Sequence, residues 1–126
     1  MANNPHDIVI LVVEDEPFIR MVAADVLAEQ GRTVLEADCA EGALAVIEAE
    51  GRVDLLFTDI NMPGDLDGLE LAALAHDRQP DLKLIVTSGA QKMSEDDIPD
   101  HGTFIPKPYS SQDLTRLVAA KLMAAQ

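Results

Sequence analysis

Little in this chain can be cross-linked, and little of it is basic. Cys39 is the only cysteine in 126 residues, so an intrachain disulfide is excluded and the fold must rest on a packed core. Nine Lys and Arg stand against 23 Asp and Glu, a net charge of -14. So few cations cannot build the basic face that nucleic-acid phosphates require, and an anionic membrane surface would repel the chain. The same charge suits a metal ion or a basic partner protein. Long apolar runs are missing as well. The run Ile8 to Val13 is far too short for a membrane span or signal segment, and Met1 to Asp7 carries no basic residue. A cytoplasmic protein is therefore expected. There is no repeat, low-complexity stretch or linker, and His6, His76 and His101 lie too far apart for ligand spacing.

What is present is an alternation of two patterns. Apolar residues make up 48% of the chain, too many for a disordered polymer. The length suits one domain with its own core. Ile8 to Val13 is a continuous β-branched run, the mark of a strand buried on both faces. Pro17 suits the first turn of a helix through Ile19, Val22, Ala23, Val26 and Leu27, with Gly31 as its stop. Thr33 to Ala37 reads as a second strand. Asp38 and Glu41 form a candidate capping box for a helix ending at Gly51. Asp54 to Thr58 is a third strand, and Asp67 with Glu70 caps a helix from Gly68 to about Arg78. Leu82 to Val86 and Thr103 to Ile105 are the fourth and fifth strands. Ser110 and Asp113 box a last helix with Leu114, Leu117, Val118 and Leu122 on one face. The acidic segment Gln91 to His101 is expected to hold at most a short or mobile helix.

Strands alternating with helices predict an α/β fold, a doubly wound five-stranded parallel sheet in the order 2-1-3-4-5 with helices on both faces. Functional residues in such sheets gather at the carboxyl ends of the strands, near the point where the strand order reverses. The ends of strands 1, 3, 4 and 5 carry Glu14-Asp15-Glu16, then Asp59 with Asn61, then Thr87, then Lys107. The topology would bring Glu14, Asp15, Asp59, Thr87 and Lys107 into one crevice. Three carboxylates together resist ionisation unless a cation is near. Mg²⁺ fits best, because it takes one or two carboxylates and a carbonyl while keeping waters. Lys107 adds a fixed positive charge. A carboxylate nucleophile beside a metal, a hydroxyl and an ammonium is equipped for phosphoryl transfer.

The strings ILVVEDE, FTDINMPGDLDG, IVTSG and IPKPY, in this order and at these separations, resemble the receiver domain of bacterial two-component response regulators over nearly the whole chain. The resemblance implies a flavodoxin-like fold and Mg²⁺-dependent phosphorelay signalling, with Asp59 as the phospho-acceptor. It implies that Asp15 and Asp59 bind Mg²⁺ directly, Asn61 through its backbone carbonyl and Glu14 through water. Thr87 and Lys107 would contact the phosphoryl oxygens. Phe104, three residues before Lys107, matches the family's switch aromatic, which turns inward when Thr87 moves toward the phosphoryl group. The donor would be a sensor histidine kinase or a histidine phosphotransfer protein. The expectation is a single receiver domain over 1–126, similar to the chemotaxis regulators. It would have no output domain, act by binding an unknown partner protein, and catalyse only its own phosphorylation and dephosphorylation. Two departures stand out. The turn after Asp59 holds one residue more between Pro63 and Gly68 than the common pattern, and the Gln91 to His101 segment is short and acidic.

Each residue also has a plainer reading. Glu14 and Asp15 suit a helix N-terminus, Asp59 a turn before Pro63, Thr87 a cap and Lys107 a surface cation. Pro108 would hold Lys107 toward the crevice, and Lys107-Pro108 is the bond that could be cis. Asp59, Asn61, Gly64, Asp65, Asp67 and Glu70 also fall at calcium-loop positions. However, Pro63 occupies a ligand position and a strand precedes Asp59. A phosphohydrolase passing through an aspartyl phosphate would want a second Asp where Asn61 stands.

Overall fold

Ile10 to Val13 place the sheet at the centre of the molecule, since none of the four is more than 1% exposed. Ile10 and Val12 pack into one apolar cluster and Leu11 and Val13 into another, as the two-residue period of a strand requires. The computed structural model describes residues 7–90, 94–99 and 102–123. Its elements run β1 (Val9–Val13), α1 (Pro17–Ala28), β2 (Thr33–Ala37), α2 (Ala40–Glu50), β3 (Leu55–Asp59), α3 (Gly68–Arg78), β4 (Lys83–Ser88), β5 (Thr103–Pro106) and α4 (Ser111–Met123). The strands form one parallel sheet in the order β2-β1-β3-β4-β5. The expected fold is therefore the observed one. Ala23 and Leu27 of α1 and Leu114 and Val118 of α4 cover the Ile10 side, where Leu55, Phe57 and Ile85 also point. Ala40, Ala43 and Ile47 of α2 and Leu71, Ala72 and Ala75 of α3 cover the Leu11 side. No helix among the described residues is long and apolar enough to cross a membrane.

The helix ends follow local chemistry. Asp67 and Glu70 form the expected reciprocal box, with Asp67 N–H donating to Glu70 Oε1 at 2.8 Å and Glu70 N–H to Asp67 Oδ1 at 2.9 Å. Asp113 N–H donates to Ser110 Oγ at 2.9 Å at the start of α4. The Asp38–Glu41 box does not form. The chain enters α2 one residue later, and Cys39 is the cap, its Sγ accepting from Gly42 N–H at 3.3 Å. Of the segment 91–101 the structure describes 94–99. These residues make a 3₁₀ turn, Glu95–Asp97, and seat Ile98 against the Leu84 and Val86 side of the sheet. The remainder of that expectation lies outside the described residues.

Candidate functional site

Three consecutive acids leave β1, and each does something different. Glu16 caps α1, its Oε1 accepting from Phe18 N–H at 2.7 Å and Ile19 N–H at 3.1 Å. Glu14 turns inward and is 4% exposed. Its Oε1 lies 2.9 Å from Lys107 Nζ, and its Oε2 accepts from Glu16 N–H at 3.1 Å. Asp15 stays open to solvent, and no hydrogen bond or ion pair among the described residues holds its side chain.

Asp59 ends β3 beside β1 and is 5% exposed. Lys107 Nζ donates to its Oδ2 at 3.0 Å and Asn61 N–H to its Oδ1 at 3.2 Å. Lys107 reaches both buried acids from the turn after β5, next to a cis Lys107-Pro108 bond. Glu14, Asp15 and Asp59 each offer a carboxylate oxygen within 4.8 Å of the others. An all-oxygen set of this kind matches a hard divalent cation such as Mg²⁺, so the residues present fit the ion that the chemistry calls for.

Thr87 completes the crevice. It is the register partner of Asp59 on β4 and is 1% exposed, and its Oγ1 has no hydrogen-bond partner. A buried hydroxyl left unpaired costs about 1–3 kcal/mol, a cost that an oxyanion arriving at Asp59 would remove. Gly68 explains how the loop returns so closely, because a Cβ there would lie 2.0 Å from the Asp59 carbonyl oxygen. Phe104 is half-buried against the Leu84 and Val86 side.

The electrostatics reflect shared burial. Desolvation raises the Glu14 pKa above the ordinary carboxylate value, against the hydrogen bond from Lys107. Burial alone would lower Lys107, but its hydrogen bonds to Glu14 and Asp59 outweigh that and raise it. Burial, aided by the Glu14 charge, pushes the Tyr109 hydroxyl up to about 12.

The structure brings together the acids and the ammonium expected at the strand ends, with Thr87 as the register partner of Asp59, and adds braces that sequence reasoning missed. Arg20 Nη1 donates to the Glu14 carbonyl at 2.8 Å. Ser88 Oγ donates to Asn61 Oδ1 at 2.8 Å and accepts from Ala90 N–H at 3.0 Å. On the α1 side, Phe18, Ile19, Val22, Ala23, Pro108 and Tyr109 line an apolar hollow of about 250 Å³ that reaches Lys107. Phe18 is 65% exposed there. A clue was available only for this hollow: Phe18 and Val22 are one helical turn apart on α1. The calcium-loop reading fails on geometry, because Asp67 and Glu70 are committed to capping α3.

A model of the response regulator receiver domain matches residues 10–119. The chain belongs to that family. Over 119 residues this receiver is 32% identical to the response regulator receiver protein CpdR of Brucella abortus, covering 92% of this chain and 98% of that protein. It is 35% identical over 117 residues to the sensor kinase CckA of the same organism, covering 90% of this chain but only 12% of the kinase. The crystal structure of a receiver domain from the hybrid histidine kinase CckA superposes with a TM-score of 0.80 at 36% identity, over 90% of this chain and 98% of that one.

Proposed function

We propose that this receiver takes a phosphoryl group on Asp59 from a phosphohistidine of a histidine kinase or phosphotransfer protein. The observation that carries the reading is the buried Asp59 carboxylate, within 3.0 Å of Lys107 Nζ, in a crevice shared with two further carboxylates and the unpartnered Thr87 hydroxyl. The phosphorus–nitrogen bond of the donor breaks as an Asp59 carboxylate oxygen bonds to phosphorus, and the imidazole leaves with the electron pair. Glu14, Asp15, Asp59 and the Asn61 backbone carbonyl would hold Mg²⁺, which when bound neutralises phosphoryl oxygens during transfer. Lys107 supplies a second positive charge 3.0 Å from the Asp59 carboxylate. Thr87 donates its free hydroxyl to a phosphoryl oxygen, and Phe104 moves with it as the switch aromatic. Ser88 and Gly89 beside Thr87 are small, so water reaches the acyl phosphate and hydrolyses it, and the protein turns over nothing but its own modification.

Phosphorylation acts by favouring a conformation already accessible to the chain, and output follows through binding of another protein. The chain matches nearly the full length of the receiver protein CpdR, which supports the receiver domain as the acting unit. A cytoplasmic setting follows from a kinase donor. The test is transfer from a phosphorylated histidine kinase: wild type gains the label, and Asp59→Asn gains none. Equal labelling of the two would end the proposal.

A further inference from the structure

The three acids of the crevice are not held equally. Lys107 clasps the side chains of Glu14 and Asp59. Nothing among the described residues clasps that of Asp15, which is exposed. Its backbone therefore decides which positions its carboxylate can reach. The peptide joining Glu14 to Asp15 is planar, so whatever fixes the Glu14 carbonyl also fixes the plane from which Asp15 departs. That carbonyl accepts Arg20 Nη1 at 2.8 Å. Arg20 is itself anchored, its Nε donating to Glu36 Oε1 at 3.2 Å. Glu36 sits on β2 as the register partner of Val12. The Glu14 N–H donates to Ala37 O at 3.1 Å, so β2 supports the end of β1 from both sides of Glu14.

We propose that Arg20, held by Glu36, is a positioning residue for the cation site: it clamps the Glu14–Asp15 peptide so that Asp15 meets the other two carboxylates. The inference rests on the acceptor reading above, because it gives that site's cation an additional determinant. Arg20 touches none of the three carboxylates and acts through the main chain. Its guanidinium suits the task, since one planar fork with several donors spans a carboxylate and a carbonyl at once. A lysine could offer its charge but not that geometry.

Charge and position make opposite demands here. If Arg20 mattered only as a positive charge near an acidic crevice, removing it would tighten Mg²⁺ binding by relieving repulsion. If it positions Asp15, removing it weakens binding despite the lost repulsion. Groups that orient metal ligands typically contribute about 10–100-fold in affinity. The experiment is a Mg²⁺ titration of the full chain, followed by amide chemical shifts, on wild type, Arg20→Met, Arg20→Lys and Glu36→Gln, with thermal melts of each. Arg52→Met is the control, since Arg52 pairs with Asp54 away from the strand ends that carry the crevice. The proposal expects Arg20→Met to bind Mg²⁺ roughly tenfold more weakly. Arg20→Lys should be weakened although its charge is kept, Glu36→Gln should weaken less, and Arg52→Met should match wild type. Folded Arg20→Met binding Mg²⁺ as tightly as wild type, or tighter, would overturn it. So would full recovery in Arg20→Lys. Should Arg20→Met not fold, Arg20→Lys and Glu36→Gln decide alone by the same criterion. A wild type that bound no Mg²⁺ would instead overturn the acceptor reading on which this inference stands.

Discussion

Lys107 is the residue around which the crevice is organised. It stands 2.9 Å from Glu14 and 3.0 Å from Asp59, and its hydrogen bond to Glu14 opposes the burial that discourages that acid from ionising. Its neighbour Tyr109 feels the same surroundings, and its hydroxyl is raised to about 12 from the ordinary value near 10. A folded-state pKa above the unfolded one means that the native state holds its proton longer. That contribution to stability is complete below pH 10 and is lost as pH rises toward 12. Lys107, also raised, loses its share on the alkaline side of its ordinary value. Tyr109→Phe should therefore lose less stability between pH 10 and pH 12 than wild type. Urea unfolding at pH steps across that window measures it, and parallel curves for the two proteins would contradict the assignment. The residues of the site were legible because strand ends can be counted from sequence, which gave Glu14, Asp15, Asp59, Thr87 and Lys107. The braces were not. Whether Arg20 turns toward Glu14, or Ser88 toward Asn61, depends on rotamers that the surrounding fold selects.

At the scale of elements, the boundaries of β2 and α3 match the sequence reading residue for residue. For α3 the Asp67–Glu70 box marks the start. Entry into α2 was misread, because Asp38 is a better general cap than Cys39 and sequence cannot show which one faces Gly42 N–H. The loop between β3 and α3 is held to the site by Gly68. Replacing it with Ala would force the Asp59 and Ile60 backbone to shift. Gly68→Ala should cost about 1–3 kcal/mol in urea unfolding and slow phosphorylation of Asp59. A variant as stable and as fast as wild type would show that the close approach is unimportant. Helix α1 contributes the apolar hollow beside the crevice, with Phe18 as its most exposed large side chain. That surface is large enough to be tested as the contact of a protein donor, which a small phosphodonor would not need. Phe18→Ser should leave labelling by acetyl phosphate near wild type and reduce transfer from a phosphohistidine protein by about tenfold or more, the effect of losing one anchor side chain. Equal rates from the protein donor would move the docking surface elsewhere.

The whole molecule joins a strongly acidic sequence to a partly buried cation, Lys107. A net charge of -14 favours cations over anions near the surface. The sheet order places the ends of β1, β3 and β4 side by side, so segments distant in sequence converge on a single carboxylate. The topology gives Asp59 the neighbours Glu14, Asp15 and Lys107, where the sequence alone shows one acid among 23. The most direct test is intact-protein mass after incubation with acetyl phosphate and Mg²⁺. Wild type should gain the mass of one phosphoryl group and lose it on standing or in alkali, while Asp59→Asn stays at its unmodified mass. No added mass in wild type, or the same addition in Asp59→Asn, would contradict the account.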